Sequence, residues 1–152
     1  MSEILNVFEV SLEGDPSDPE GYRCSAARVG PLLGASRLGM SLYELPAGQS
    51  ICPYHYEFGD EEWLLVLEGR PTLRTTEGEE EVEPGDVICF PAGEAGAHKA
   101  TNRGEGRVLV AMLSTKREPA VAVYPDSGKV GVWPPGKLFR LGDAVDYWEG
   151  ET

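Results

Sequence analysis

Glycine and proline interrupt this chain so evenly that little room is left for anything but short elements joined by tight turns. Nineteen Gly and twelve Pro are spread along 152 residues. Each disfavours a long helix, glycine through its conformational freedom and proline through its missing N–H. Between them lie short runs rich in Val, Leu and aromatic side chains. That pattern favours an all-β domain over a helical bundle.

Read in order, residues 4–12 suggest an N-terminal edge strand, followed by the turn-rich stretch 14–21. The glycine-punctuated segment 26–39 has room for a short turn of helix. Strands follow at 40–45 and 62–68, the latter closed by Gly69, with a short segment at 54–57 between them. Residues 71–76 and 79–82 flank Glu77-Gly78, a hairpin signal. Further strands are expected at 87–90, 97–102, 107–113, 120–124 and 129–133, and one helical turn at 143–148. Strands this short and this regularly spaced predict a sandwich or jelly-roll barrel in a single domain spanning 1–152. Its core runs from about 38 to 114, and an extended C-terminal tail from about 115 to 152.

Two of these strands are apolar on both faces. In 62–68, Leu64 and Val66 oppose Trp63, Leu65 and Leu67; in 107–113, Val108, Val110 and Met112 oppose Leu109, Ala111 and Leu113. A sheet wetted on one side alternates apolar with polar residues, so both faces need cover. The opposite sheet covers the inside, and the tail or a second subunit the outside; a homodimer is expected. The tail itself carries Trp133, Phe139, Tyr147 and Trp148, aromatic surface for a lid over the barrel mouth or for a partner.

The formal net charge is −13, from 26 acidic and 13 basic residues. Such a surface repels phosphate backbones and anionic lipid, so nucleic-acid and membrane-surface binding are not expected. The three cysteines form no CxxC pair and suggest a reducing compartment. The opening residues have no basic signal-peptide region, and the longest apolar run is too short to cross a bilayer. A cytoplasmic protein is expected.

Only two histidines are present, His55 and His98. Residues two apart on a strand share a face, so His55 and Glu57 can project together into one cavity. Glu62 opens the next strand after the turn at Gly59-Asp60, and His98 arrives from a distant one. Imidazole nitrogens and carboxylate oxygens converging in this way suit a divalent metal such as Mn, Fe, Ni, Co or Zn. The plainer alternative for a strand histidine is a hydrogen-bonded core residue. Glu62 has a sharper argument, because a carboxylate opening an apolar strand is costly unless paired.

These residues resemble the cupin family. Its first motif, G-x5-H-x-H-x(3,4)-E-x6-G, is matched by Gly48, His55, Glu57, Glu62 and Gly69. Its second, G-x5-P-x-G-x2-H-x3-N, is matched by Gly85, Pro91, Gly93, His98 and Asn102. The resemblance implies a double-stranded β-helix, or jelly-roll barrel, with a metal site at His55, Glu57, Glu62 and His98. The sequence departs from the pattern in longer loops before His55 and His98, and in Glu57 standing where the family usually has a second histidine. With Glu57 as a ligand the site is harder and leans toward Mn or Fe; without it, a two-histidine, one-carboxylate triad remains.

The resemblance further implies a metal-dependent enzyme, of oxygenase or isomerase type, acting on a small-molecule ligand. The alternative is a non-catalytic module that binds a metabolite or stores metal. Glu57, if free of the metal, is a candidate general base. Among the remaining residues, Cys52 and Cys89 read as small buried hydrophobes, Tyr54 and Tyr56 as packing, Arg74 as a surface charge and Asn102 as a partner for turn backbone.

Overall fold

The computed structural model describes residues 3–151. Among the described residues thirteen strands form, every paired ladder antiparallel: β1 (Glu13–Gly14), β2 (Ser25–Arg28), β3 (Leu38–Leu45), β4 (Tyr56–Phe58), β5 (Glu62–Glu68), β6 (Thr72–Thr75), β7 (Gly78–Glu81), β8 (Val87–Phe90), β9 (Lys99–Thr101), β10 (Val108–Thr115), β11 (Ala120–Tyr124), β12 (Lys129–Trp133) and β13 (Lys137–Arg140). One short helix, α1 (Val29–Leu32), precedes β3. The strands make a six-stranded sheet ordered β1-β2-β3-β10-β5-β8, a four-stranded sheet ordered β13-β12-β11-β4, and a three-stranded sheet ordered β7-β6-β9. Strands distant in sequence lie side by side, β10 between β3 and β5 and β4 beside β11. This is the wrapping expected of a jelly roll.

Alternation along the strands builds the core. Leu45, Leu64, Val66, Val108 and Val110 of the six-stranded sheet meet Leu73 and Ala100 of the three-stranded one, with Phe90 and Val82 closing the cluster. Burying an aliphatic side chain of this size contributes about 1.5–3 kcal/mol, so this cluster is the main hydrophobic support of the fold.

The opposite face of the same sheet is apolar too, and the structure shows what covers it. Leu42 and Ala111 pack with Val29 of α1, and Leu5, Val7, Val10 and Leu12 lie against them together with Leu65 and Leu67. The cover is the N-terminal segment rather than the tail, and it accounts within one chain for the two-sided pattern of β5 and β10 except at Trp63, which stays exposed.

That finding corrects the edge strand expected at 4–12. No strand forms before Glu13 among the described residues; β1 is two residues long. Asn6 is the cause. Its side chain accepts a hydrogen bond from the Phe8 amide at 3.0 Å and its carbonyl one from the Glu9 amide at 3.0 Å. This turn takes up the polar groups a ladder needs. The helical turn expected at 143–148 is also displaced: a single 3₁₀ turn forms at Leu141–Asp143, and the unforeseen β13 precedes it. Among the described residues, no helix is long and apolar enough to cross a membrane.

Candidate metal centre

The site starts from backbone pairing. His55 and His98 form an isolated antiparallel bridge just ahead of β4 and β9: the His55 amide donates to the His98 carbonyl at 3.2 Å, and the His98 amide to the His55 carbonyl at 2.9 Å. Directly paired residues of antiparallel chains send their side chains to the same face. The two imidazoles accordingly lie with centroids 4.8 Å apart.

Glu62 reaches them from the start of β5. In the ladder it stands opposite Phe90, whose ring stacks on His98 at 3.7 Å with the planes 7° apart. Glu62 Oε2 lies 3.6 Å from His55 Nε2 and 3.5 Å from His98 Nε2. One ligand atom from each of the three residues falls within 4.8 Å of the others.

The outer nitrogens fix which atoms face inward. His98 Nδ1 lies 2.9 Å from the Gly96 carbonyl, and His55 Nδ1 lies 3.0 Å from the Pro53 carbonyl, with the Cys52 sulfur farther off at 3.5 Å. Donation to a carbonyl puts the proton on Nδ1 and leaves the Nε2 lone pair for a ligand. Glu62 Oε2 and His98 Nε2 are buried with no hydrogen-bond partner. Orphaned buried polar atoms are costly, and two of them aimed at one point fit a cation between them.

Electrostatics agree with an acceptor-rich centre. At His55 burial works against the imidazolium, but hydrogen bonds to Cys52 and Glu62 outweigh it and raise the pKa from 6.5 to about 11. His98 goes the other way, lowered chiefly by burial, with the Gly96 carbonyl opposing. The Glu62 carboxylate thus favours positive charge between the two imidazoles.

Glu57 does not join the trio. It projects from β4, which pairs with β11, and it lines the cavity outside the three converging atoms. Burial, reinforced by the nearby Glu62 charge, raises its pKa to about 7. The cavity holds about 880 Å³ and is also lined by Glu62, Tyr43, Tyr124, Trp133 and Arg28. A second hollow of about 780 Å³ shares Tyr43 and Arg28 with it and reaches Cys24, Cys52 and Tyr54. Burial raises the pKa of both Tyr43 and Tyr124, keeping their hydroxyls protonated. Tyr124 stacks on His55 at 5.8 Å.

The other residues singled out from the sequence fall as follows. Asn102 is 1% exposed and serves the backbone: Nδ2 donates to the Leu45 and Gly106 carbonyls at 2.8 and 2.7 Å, and Oδ1 accepts from the Gly104 amide. Arg74 is a surface charge, paired with Asp126 at 2.6 and 2.9 Å and lying 3.8 Å over the Tyr54 ring. Cys24, Cys52 and Cys89 are free thiols, but Cys89 is exposed rather than buried.

Two positioning residues escaped the sequence reading. Gly96 supplies the carbonyl that orients His98, and a Cβ there would sit 1.9 Å from the Pro91 carbonyl oxygen. Asp60 is buried and anchors the chain beside Glu62, accepting from the Thr115 hydroxyl at 2.8 Å and the Arg117 amide at 3.0 Å. Nothing in the sequence separates these two from the other glycines and acids.

Comparison with known proteins agrees with this geometry. The cupin domain family matches residues 41–114, the span that contains all three converging side chains. A sugar phosphate isomerase of the cupin superfamily from Silicibacter pomeroyi superposes with a TM-score of 0.82 at 23% identity, over 97% of this chain and 98% of that one. A candidate sugar phosphate isomerase from Acidithiobacillus ferrooxidans gives 0.83 at 23% identity, over 94% and 95%. The polyketide cyclase RemF from Streptomyces resistomycificus gives 0.64 at 23% identity, over 79% and 84%. No curated protein matches the sequence. At these identities the structural likeness speaks for the fold. The match over the barrel core and the likeness of nearly the whole chain agree: residues 41–114 match the cupin domain family, and the chain has the cupin fold.

Proposed function

We propose that this cupin-fold protein is a metal-dependent enzyme of isomerase type, acting on a small organic molecule in the cavity beside Glu62. The observation that carries the reading is the pair of buried, unpartnered atoms Glu62 Oε2 and His98 Nε2, 3.5 Å apart and facing His55 Nε2. Three ligands leave open positions, the arrangement of a catalytic centre rather than a closed structural one. A divalent ion held there supplies Lewis-acid polarisation of a ligand oxygen.

The chain's own residues do the remainder. Tyr43 and Tyr124 offer hydroxyl donors inside the cavity, and Trp133 shields one wall. In this reading Glu57, outside the ligand trio and on the same cavity wall, takes a proton from one carbon of the substrate and returns it to the next. Two of the superposing structures are named as sugar phosphate isomerases and a third as a polyketide cyclase. They favour the isomerase branch over the oxygenase branch.

The test is a panel of small hydroxy-carbonyl compounds incubated with protein loaded with Mn²⁺, Fe²⁺, Ni²⁺ or Zn²⁺ and followed by NMR. Turnover is expected to require the metal and to vanish in both His98→Ala and Glu57→Gln. Binding of panel members without turnover, in every metal form, would replace the enzyme with a binding module.

A further inference from the structure

The basic residues of this acidic chain are unevenly committed. Five arginines are ion-paired: Arg23 with Glu20, Arg70 with Glu81 and Glu83, Arg74 with Asp126, Arg103 with Glu79, and Arg107 with Glu44 and Glu68. With 26 acids against 13 bases, an arginine on this surface meets a carboxylate readily. Yet Arg28 and Arg117, with Lys116, line the 880 Å³ cavity beside Glu62, and none of them is in an ion pair among the described residues. Arg37, also without such a partner, lines the adjoining hollow with Lys116 and Arg117, and its carbonyl accepts the Lys116 amide at 3.0 Å. Four uncommitted cations thus gather around the cavity and the hollow beside it; the other bases outside ion pairs among the described residues are Arg140, Lys99, Lys129 and Lys137.

Four acids share that wall, Glu57, Asp60, Glu62 and Glu118, and none of them is ion-paired with these cations. Glu62 faces the two histidines, and Asp60 is held by the Thr115 hydroxyl and the Arg117 main chain, which leaves the Arg117 guanidinium to point elsewhere. A divalent ion on two neutral imidazoles and one carboxylate also carries a net positive charge. Arginine binds carboxylate and phosphate in a planar, bidentate fashion, and a cavity walled by protein strengthens that attraction.

We infer that the ligand of this cavity carries a compact oxyanion group, carboxylate or phosphate, held by Arg28 and Arg117 while its other end reaches the His55–Glu62–His98 centre. The inference rests on the proposed metal-dependent function and adds to it the class of substrate. In a chain of net charge −13 such a ligand is met by the two guanidiniums and the ion rather than by the surface as a whole.

The test uses the full chain loaded with Zn²⁺, titrated calorimetrically with inorganic phosphate and separately with acetate at constant ionic strength. Metal content is measured on the same samples. Saturable binding of at least one of the two is expected, and the tighter of the two identifies the group. Arg28→Ala/Arg117→Ala should weaken that binding by about tenfold or more, the loss of charge-assisted hydrogen bonds, with zinc content unchanged. Both positions are exposed, so the variant retains the fold. Binding within twofold of the wild type in that variant overturns the inference, as does the absence of saturable binding of either anion by zinc-loaded protein. Failure to load zinc at all points instead to the metal site.

Discussion

Asn102 illustrates how much a single side chain can hold in place. Its amide closes two carbonyls, at Leu45 and Gly106, and its carbonyl oxygen takes one amide, with the asparagine itself buried. Asn102→Ala leaves those groups unsatisfied and is expected to cost about 2–4 kcal/mol in urea unfolding, with the m-value unchanged. Gly96 acts on the site instead. Gly96→Ala must push its loop off the Pro91 carbonyl and so disturbs the group that orients His98. Metal affinity is expected to fall by about 10–100-fold, the usual effect of losing an orienting partner, and calorimetric metal titration reads it directly. Glu57→Gln is expected to keep metal stoichiometry, since its carboxylate lies outside the trio.

Among the elements, the N-terminal segment does the work that the sequence suggested for a partner or the tail. Leu12 and Val10 press on the outer face of β3, β10 and β5 without forming a strand. Leu12→Ala is expected to destabilise by about 1–3 kcal/mol, the lower part of the range for a partly buried leucine, measured by thermal or urea unfolding. Strand boundaries elsewhere were legible because turn residues mark them: β5, β8, β11 and β12 begin and end where Gly and Pro predict. Residues 4–12 misled because their apolar spacing resembles a strand, while the Asn6 turn that prevents one leaves no mark in periodicity. The two motifs named His55, Glu62 and His98 directly. Gly96, Asp60 and Arg28 were not legible, because their roles depend on which strands become neighbours.

At the scale of the molecule, the outer sheet face no longer calls for a second subunit. The tail does, leaving Leu138, Phe139, Val145, Tyr147 and Trp148 exposed, the last two in edge contact at 4.7 Å. A homodimer joined through this surface is the expectation, because apolar patches of this kind mark interaction sites. Light scattering should return a dimer mass for the wild type and a monomer mass for Tyr147→Asp/Trp148→Asp. Two distant histidines and one glutamate converge where a cation would bind. Metal analysis of protein purified without a histidine tag and loaded with Zn²⁺ measures that most directly. About one ion per chain is expected for the wild type, and loss of that ion in His98→Ala with circular dichroism unchanged. An equal metal content in the folded His98→Ala variant would contradict it.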